Sequence, residues 1–283
     1  MNNDIYPCVW MDHNGREAAA FYTEVFPDTI ITEDSGLVQI LSISGQKLML
    51  LNGGPMFKPN ASISFLIANA DETETERLFN LLAADGIVLM PLDHYPFSSR
   101  YGWVRDRFGV TWQLYTGEKG DTDQYFVPTL MFVNEQNGRA KEAIGFYTRL
   151  FPGSSTEGIM EYDGKEDKKG NVQHAQFKIS GYTLACMDSS IDHTFNFDEG
   201  ISIAVMTNDQ ETTDYYWNAM TQDGGEESMC GWLKDKFGVS WQIVPHRLME
   251  LFNQKDQEKA SRTREAMMKM RKIDIAKLEE AGA

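Results

Sequence analysis

Apolar and polar positions along the chain switch between two periods in a repeating order. Ile5–Met11 is an apolar run of strand length. Arg16–Phe26 places Ala19, Ala20, Tyr22 and Phe26 at helical spacing, and Pro27 ends the pattern. Val38–Ile43 alternates with period two, Gly45-Gln46 turns, and Lys47–Leu51 continues as the hairpin partner. Ile63–Ala68 predicts another strand, and Glu72–Ala84 a second helix capped by Asp71 and closed near Gly86. Trp103–Asp106 and Thr111–Tyr115 predict a last hairpin around Phe108-Gly109.

The same order then returns. Thr129–Asn134 predicts a strand and Ala140–Phe151 a helix. Strands follow at Gln173–Ile179, Thr183–Met187 and Ile201–Met206, then a helix over Glu211–Thr221 and a hairpin over Trp232–Val244. The duplication is written in the residues themselves. Gly102–Leu114 recurs as Gly231–Ile243 with eight of thirteen positions identical, both tryptophans and both glycines among them. Phe21-Tyr22-Thr23-Glu24-Val25-Phe26-Pro27 recurs as Phe146-Tyr147-Thr148-Arg149-Leu150-Phe151-Pro152, and Pro7 returns as Pro128.

The polar, glycine-containing stretch Gly117–Asp123 divides the copies, giving domains at 1–118 and 124–245. The second copy is shorter between helix and hairpin, where Asp85–Arg100 has only Asp223–Met229 as its counterpart. A helical tail covers 246–283. Its apolar positions Ala266, Met267, Met270, Ile273 and Leu278 predict packing on its own domain, with a homodimer contact as the alternative.

At 283 residues the chain is long enough for two cores. The net charge of -16 is divided between the copies: residues 1–120 carry 8 Lys/Arg and 15 Asp/Glu, or -7, leaving -9 for the rest. Such a surface repels phosphate backbones and anionic lipid, so neither nucleic acid nor membrane is expected as a partner. No stretch approaches the roughly 18 consecutive apolar residues of a span, and Met1–Asp4 has no leader pattern, so the expected location is cytoplasmic. Cys8, Cys186 and Cys230 form no CxxC pair and read as free thiols.

The Phe-Tyr near the end of the first helix and the closing Gly-Trp-x-x-Asp-x-Phe-Gly-x-x-Trp-Gln resemble the vicinal oxygen chelate superfamily, which includes glyoxalases, bleomycin-resistance proteins and extradiol dioxygenases. Leu184–Asp188, Asp214–Trp217, Asp223–Glu226, Cys230–Asp235, the tail Met267–Leu278 and, in copy one, Leu51-Asn52-Gly53-Gly54-Pro55 are similar to its PhnB-like branch. That branch carries the description 3-demethylubiquinone-9 3-methyltransferase. The resemblance implies an α+β fold of tandem βαβββ modules whose sheets pair into a cup, with helices outside and ligand inside.

Alternation assigns the cup lining to Thr111, Gln113 and Tyr115, with Trp112 and Leu114 toward the helices. The repeat assigns Ser240, Gln242 and Val244 to a second lining, with Trp241 behind. His174, Gln176 and Cys186 complete the candidate ligand-binding residues. The segment Leu92–Tyr101, with His94, Tyr95, Phe97, Ser98, Ser99 and Arg100, is a candidate lid or charged clamp, or else a crossover loop packing its own aromatics.

Metal-dependent relatives use His or Gln, a second His and Glu on cup strands. The matching positions here fall on Leu50 or Cys186, on the strands beginning at Ser62 or Gly200, and on Gln113 or Gln242. The five histidines show no HxxxH or HxH spacing, and His174 with Gln176 and Cys186 is the only cluster to weigh, so no metal and no cofactor are expected. No GxGxxG opens a helix, which leaves a dinucleotide or adenosylmethionine site without a pattern, and no GxSxG occurs. The leading expectation is a metal-independent protein that binds an organic small molecule. The alternatives are an enzyme of the vicinal oxygen chelate superfamily and a dimerising scaffold without ligand. The enzyme would be a metal-dependent lyase, isomerase or dioxygenase through unexpected ligands, one using Cys186, Cys230 or His174 as acid or base, or the methyltransferase that the branch's description names.

Overall fold

Four βαβββ modules follow one another in the computed structural model, which describes residues 4–118 and 122–283. The first comprises β1 (Ile5–Met11), α1 (Gly15–Val25), β2 (Thr29–Asp34), β3 (Val38–Ile43) and β4 (Gln46–Asn52). The second comprises β5 (Ile63–Asn69), α2 (Glu72–Ala83), β6 (Ile87–Tyr95), β7 (Ser98–Arg105) and β8 (Thr111–Thr116). The third comprises β9 (Val127–Phe132), α3 (Ala140–Leu150), β10 (Ser155–Glu161), β11 (Val172–Ile179) and β12 (Tyr182–Asp188). The fourth comprises β13 (Ile201–Thr207), α4 (Gln210–Thr221), β14 (Glu226–Glu227), β15 (Trp232–Lys234) and β16 (Ser240–Pro245). Helices α5 (His246–Phe252), α6 (Gln257–Met267) and α7 (Ile275–Gly282) form the tail. The expected boundary at 117–123 includes Lys119, Gly120 and Asp121, and the expected absence of a leader rests on Met1–Asn3; both sets lie outside the described residues.

Modules two and three share one eight-stranded mixed sheet of order β10-β11-β12-β9-β5-β8-β7-β6. Within each module the first strand runs parallel to the last, and antiparallel pairing of β5 with β9 joins them, with Ile63 opposite Leu130 and Ser64 opposite Thr129. This sheet therefore crosses the sequence repeat, combining the second half of one copy with the first half of the next. The residues divide into two units, Pro7–Ile201 and Asp4–Tyr6 with Ser202–Ala283. The first unit also holds β1-β4-β3-β2, and the second holds β14-β15-β16-β13. In the second unit Met206 N–H donates to Asp4 C=O, and in the first Trp10 N–H donates to Gly200 C=O.

Helix α1 buries Ala18, Ala19, Tyr22 and Val25. Ala20, expected inside, is exposed; the stripe begins one position earlier, at Ala18. Asp71 caps α2 by accepting from Thr73 N–H, as the sequence predicts. Helices α1 and α3 have no side-chain cap of their own, and the last residue of each module's fourth strand supplies one. Asn52 Oδ1 accepts from Gly15 N–H at 2.8 Å. Asp188 Oδ1 accepts from Gly138 and Ala140 N–H, and its Oδ2 from Val172 N–H. Asn52 also donates to Gly36 C=O, and the neighbouring Gly53 admits the Trp10 ring where a Cβ would lie 2.2 Å from it. The Leu51–Pro55 element is thereby accounted for as packing.

Two-residue turns set the hairpin registers. Ser44 and Gly45, at φ 49° and 84°, join β3 to β4, and Ser180 and Gly181, at φ 47° and 80°, join β11 to β12. Positive φ at both positions matches the right-handed strand twist. The first turn lies one residue earlier than the expected Gly45-Gln46. Gln46 is instead buried: its amide donates to Phe126 C=O and Tyr182 Oη, and its carbonyl accepts from Phe126 N–H. In the second unit the tail closes a cluster of Leu248, Leu251, Ile273 and Leu278, with Ala266, Met267 and Met270 against it. The tail stripe packs on its own unit, as expected.

Candidate ligand site

The two faces of the shared sheet differ in depth of burial. Toward the helices, Phe65, Trp112, Leu114, Phe177 and Leu184 are all fully buried. Trp112 meets Tyr22 of α1 and Phe26, the residue after it, at ring distances of 5.6 and 4.7 Å, and Tyr147 of α3 stacks on Phe177. The opposite face carries half-buried Leu66, Trp103, Tyr115, His174, Gln176 and Met187 over a buried floor of Ser64, Gln113 and Thr129. This is the period-two pattern of a sheet with one packed and one accessible face.

A relay of hydrogen bonds crosses the floor. Tyr101 Oη donates to Gln113 Oε1 at 2.7 Å, and Gln113 Nε2 donates to Ser64 Oγ at 2.7 Å. Burial pushes the Tyr101 phenol well above its ordinary value, so it stays a neutral donor. Thr111 Oγ1 donates to Ile63 C=O. The rings of Tyr95 and Phe97 pack on Tyr101 at 5.6 and 5.1 Å. Sequence reading did not place Ser64, Tyr101 or Trp103 here. The signal was alternation carried across the hairpin, where Trp103 opposes Gln113 and Tyr101 opposes Tyr115.

On the other wall, β11 pairs with β12 so that Gln176 opposes Ala185 and Ala175 opposes Cys186. His174 and Gln176 point into the cup, and neither side chain has a hydrogen-bond partner among the described residues. Burial pulls the His174 ring below its usual value, so the imidazole is neutral at pH 7 with one donor and one acceptor nitrogen. Cys186, expected on the lining, lies on the opposite face with Leu184, buried against the helix side. Burial pushes its thiol well above the ordinary range, which removes it as a nucleophile or ligand.

The expected lid is an edge hairpin, β6 with β7, rather than a loop. Arg100 ion-pairs with Glu76 of α2 at 2.6 Å, which ties it to the outer face and away from any clamp on the cup. Ser98 is buried and bonds Thr116 C=O, and His94 is exposed. Of this segment, Tyr95 and Phe97 reach the floor, through Tyr101.

The second unit repeats part of the floor. Gln242 Nε2 donates to Ser202 Oγ at 3.0 Å, Ser240 is buried with no partner for its hydroxyl among the described residues, and Trp241 lies behind with its indole on Asp235.

A divalent cation does not fit these donors. Both ends of the Gln113 amide are engaged by protein groups, Ser64 and Thr129 are neutral hydroxyls, and Cys186 faces away from His174. Among the described residues no three His, Cys, Asp or Glu side chains gather to hold a metal.

Comparison with known proteins bears on the family and the fold. Residues 3–115 and 124–244 each match the family described as 3-demethylubiquinone-9 3-methyltransferase. A putative 3-demethylubiquinone-9 3-methyltransferase, the PhnB protein of Bacillus cereus, is 29% identical over 39% of this chain and 96% of its own, with a TM-score of 0.37. Protein PA1353 of Pseudomonas aeruginosa is 25% identical over 39% and 95%, with a TM-score of 0.35. Glyoxalase I of Zea mays covers 89% of this chain and 95% of its own at 14% identity and a TM-score of 0.59, which is similarity of fold. No curated protein matches the chain in sequence. No helix among the described residues is long and apolar enough to cross a membrane. With both halves of its repeat matched, the chain belongs to the family described as 3-demethylubiquinone-9 3-methyltransferase, and its modules have a glyoxalase-type fold.

Proposed function

We propose that this chain binds an uncharged, planar organic molecule in the cup of the sheet shared by modules two and three, through neutral hydrogen-bonding groups and without a metal. The unpaired His174 and Gln176 side chains on a half-buried wall carry this reading. Together with Met187, Tyr115 and Trp103 they form an apolar surface with few polar groups, the usual composition of a small-molecule site. The polar groups named on this wall and its floor are all neutral, which favours an uncharged ligand.

A test uses isotope-labelled protein titrated with neutral planar aromatics such as 1-naphthol and 8-hydroxyquinoline. Saturable shifts at the His174 ring and the Gln176 amide are expected, weakened about tenfold by Gln176→Leu. Absence of any shift at these groups would favour a second reading, a scaffold whose cup is closed by its own side chains. The packing of Tyr95 and Phe97 on Tyr101 is the observation behind that reading. Stoichiometric zinc or nickel binding with a raised melting temperature would instead favour a metal-dependent enzyme.

A further inference from the structure

A cavity lies away from the cup face, where the end of β1, the turn after α2 and the β7–β8 turn come together. It encloses about 490 Å³, within the size range of small-molecule sites. Its apolar wall is made by Trp10, Met11, Phe57, Pro59 and Phe108. The Trp10 indole is fixed by donation to Gly54 C=O at 2.7 Å, and Phe57 meets its ring edge-on at 5.1 Å. Gly86 and Gly109 let the backbone close around the space: a Cβ on Gly86 would lie 2.4 Å from Arg105 C=O, and Gly109 takes φ +91° against Pro59.

The charges around this cavity run against the rest of the molecule. Lys58, Arg105 and Arg107 line it, in a chain of net charge -16. Lys58 and Arg105 have no carboxylate partner among the described residues. The carboxylate nearest Arg107 is Glu17, at 3.9 Å, and the guanidinium instead stacks on Phe21 and Phe108 at 4.5 and 5.1 Å. Three acids also line the space, Asp12, Asp85 and Asp106. Asp106 is turned inward, its oxygens taken up by Tyr22, Trp112 and two backbone N–H groups. Asp12 and Asp85 are exposed, leaving three cations against two acids at the opening. Asn14, also in the lining, has a buried Oδ1 with no partner among the described residues.

We propose that this cavity is a second binding site, distinct from the cup, for an aromatic anion: a planar ring bearing a phosphate, sulfate or carboxylate group. The ring lies against Trp10 and Phe108. The anionic group sits among Lys58, Arg105 and Arg107, where guanidinium forks and an ammonium match its oxygens. Neither part suffices alone, because exposed cations hold a small anion weakly and a wall of this size holds a neutral ring weakly.

The test titrates the full chain with phenyl phosphate, with inorganic phosphate and with phenol, following the Trp10 indole N–H and the Gly109 amide by NMR. Phenyl phosphate is expected to give saturable shifts at both groups and to bind at least about tenfold more tightly than either fragment. The double variant Lys58→Glu/Arg105→Glu, whose side chains are exposed, should keep its melting temperature and lose at least about tenfold in phenyl phosphate affinity. Gln176→Leu, in the cup, should leave that affinity unchanged. Equal binding of phenol and phenyl phosphate, equal binding of inorganic phosphate, or indifference to the double charge reversal would each overturn the proposal. So would loss of binding in Gln176→Leu, which would assign the ligand to the cup.

Discussion

The hydroxyl of Tyr22 donates to Asp106 Oδ2 at 2.8 Å across 84 residues of sequence. The Trp112 indole donates to the same oxygen at 2.8 Å, and the other oxygen accepts from Phe108 and Val110 N–H. One carboxylate thus ties α1 of the first module to the β7–β8 hairpin of the second. Asp235 receives Trp241, Phe237 and Val239 in the same way. The repeated Gly-Trp-x-x-Asp-x-Phe-Gly-x-x-Trp-Gln is explained by this arrangement, with its aspartate as the hub and its second tryptophan as a spoke.

Tyr22→Phe removes one donor from a buried carboxylate and leaves the ring packing in place. A loss of about 1–2 kcal/mol is expected in urea unfolding. A change near zero would mean that the hydroxyl contributes nothing to holding α1 on the hairpin.

Burial lifts the Asp106 carboxyl to about 6, against the pull of its four donors, while the unfolded value is about 3.9. Between these values the folded chain binds more protons than the unfolded one. This group therefore favours the fold below about pH 4, and that contribution is lost as pH rises through about 6. Asp106→Asn removes the titration. The stability of the natural chain relative to the variant should fall between pH 4 and 6, and a difference independent of pH would contradict the lifted carboxyl.

Asp188→Ala takes the cap from α3 and strands three backbone N–H groups. A loss of about 1–3 kcal/mol is expected, with faster amide exchange at Gly138, Ala140 and Val172. Unchanged exchange at those amides would show that other groups satisfy them.

Trp241→Ala opens a cavity behind the fourth module and should cost about 3–5 kcal/mol. Gln242→Leu lies on the opposite face and should cost about 1 kcal/mol or less. Urea melts that rank the two the other way would invert the face assignment.

Thiol labelling of the native protein should modify half-buried Cys230 and spare Cys8 and Cys186, which are buried. All three should react in denaturant. Early labelling of Cys186 would place it back on the cup wall.

The sequence alone determined the modules and their order. A strand alternates, a helix recurs every 3.6 residues, and a duplicated motif needs no knowledge of its partner. It also placed Gln113 and Tyr115 on the accessible face and Trp112 on the packed one, because those positions depend on a single strand. Cys186 was misplaced because its face depends on a hairpin register. The Ser180-Gly181 turn sets Ile179 opposite Tyr182, and a slip of one residue in such a turn moves every side chain to the other face. Arg100 does not form the expected clamp because it pairs with Glu76, on a helix that the chain pattern does not bring to it. Tertiary structure also decided that β5 pairs with β9 across the repeat, a choice that two similar edges leave open. The cavity beside Trp10 is likewise a tertiary product. Its wall comes from four separate stretches of chain, and only folding brings three cations into one opening.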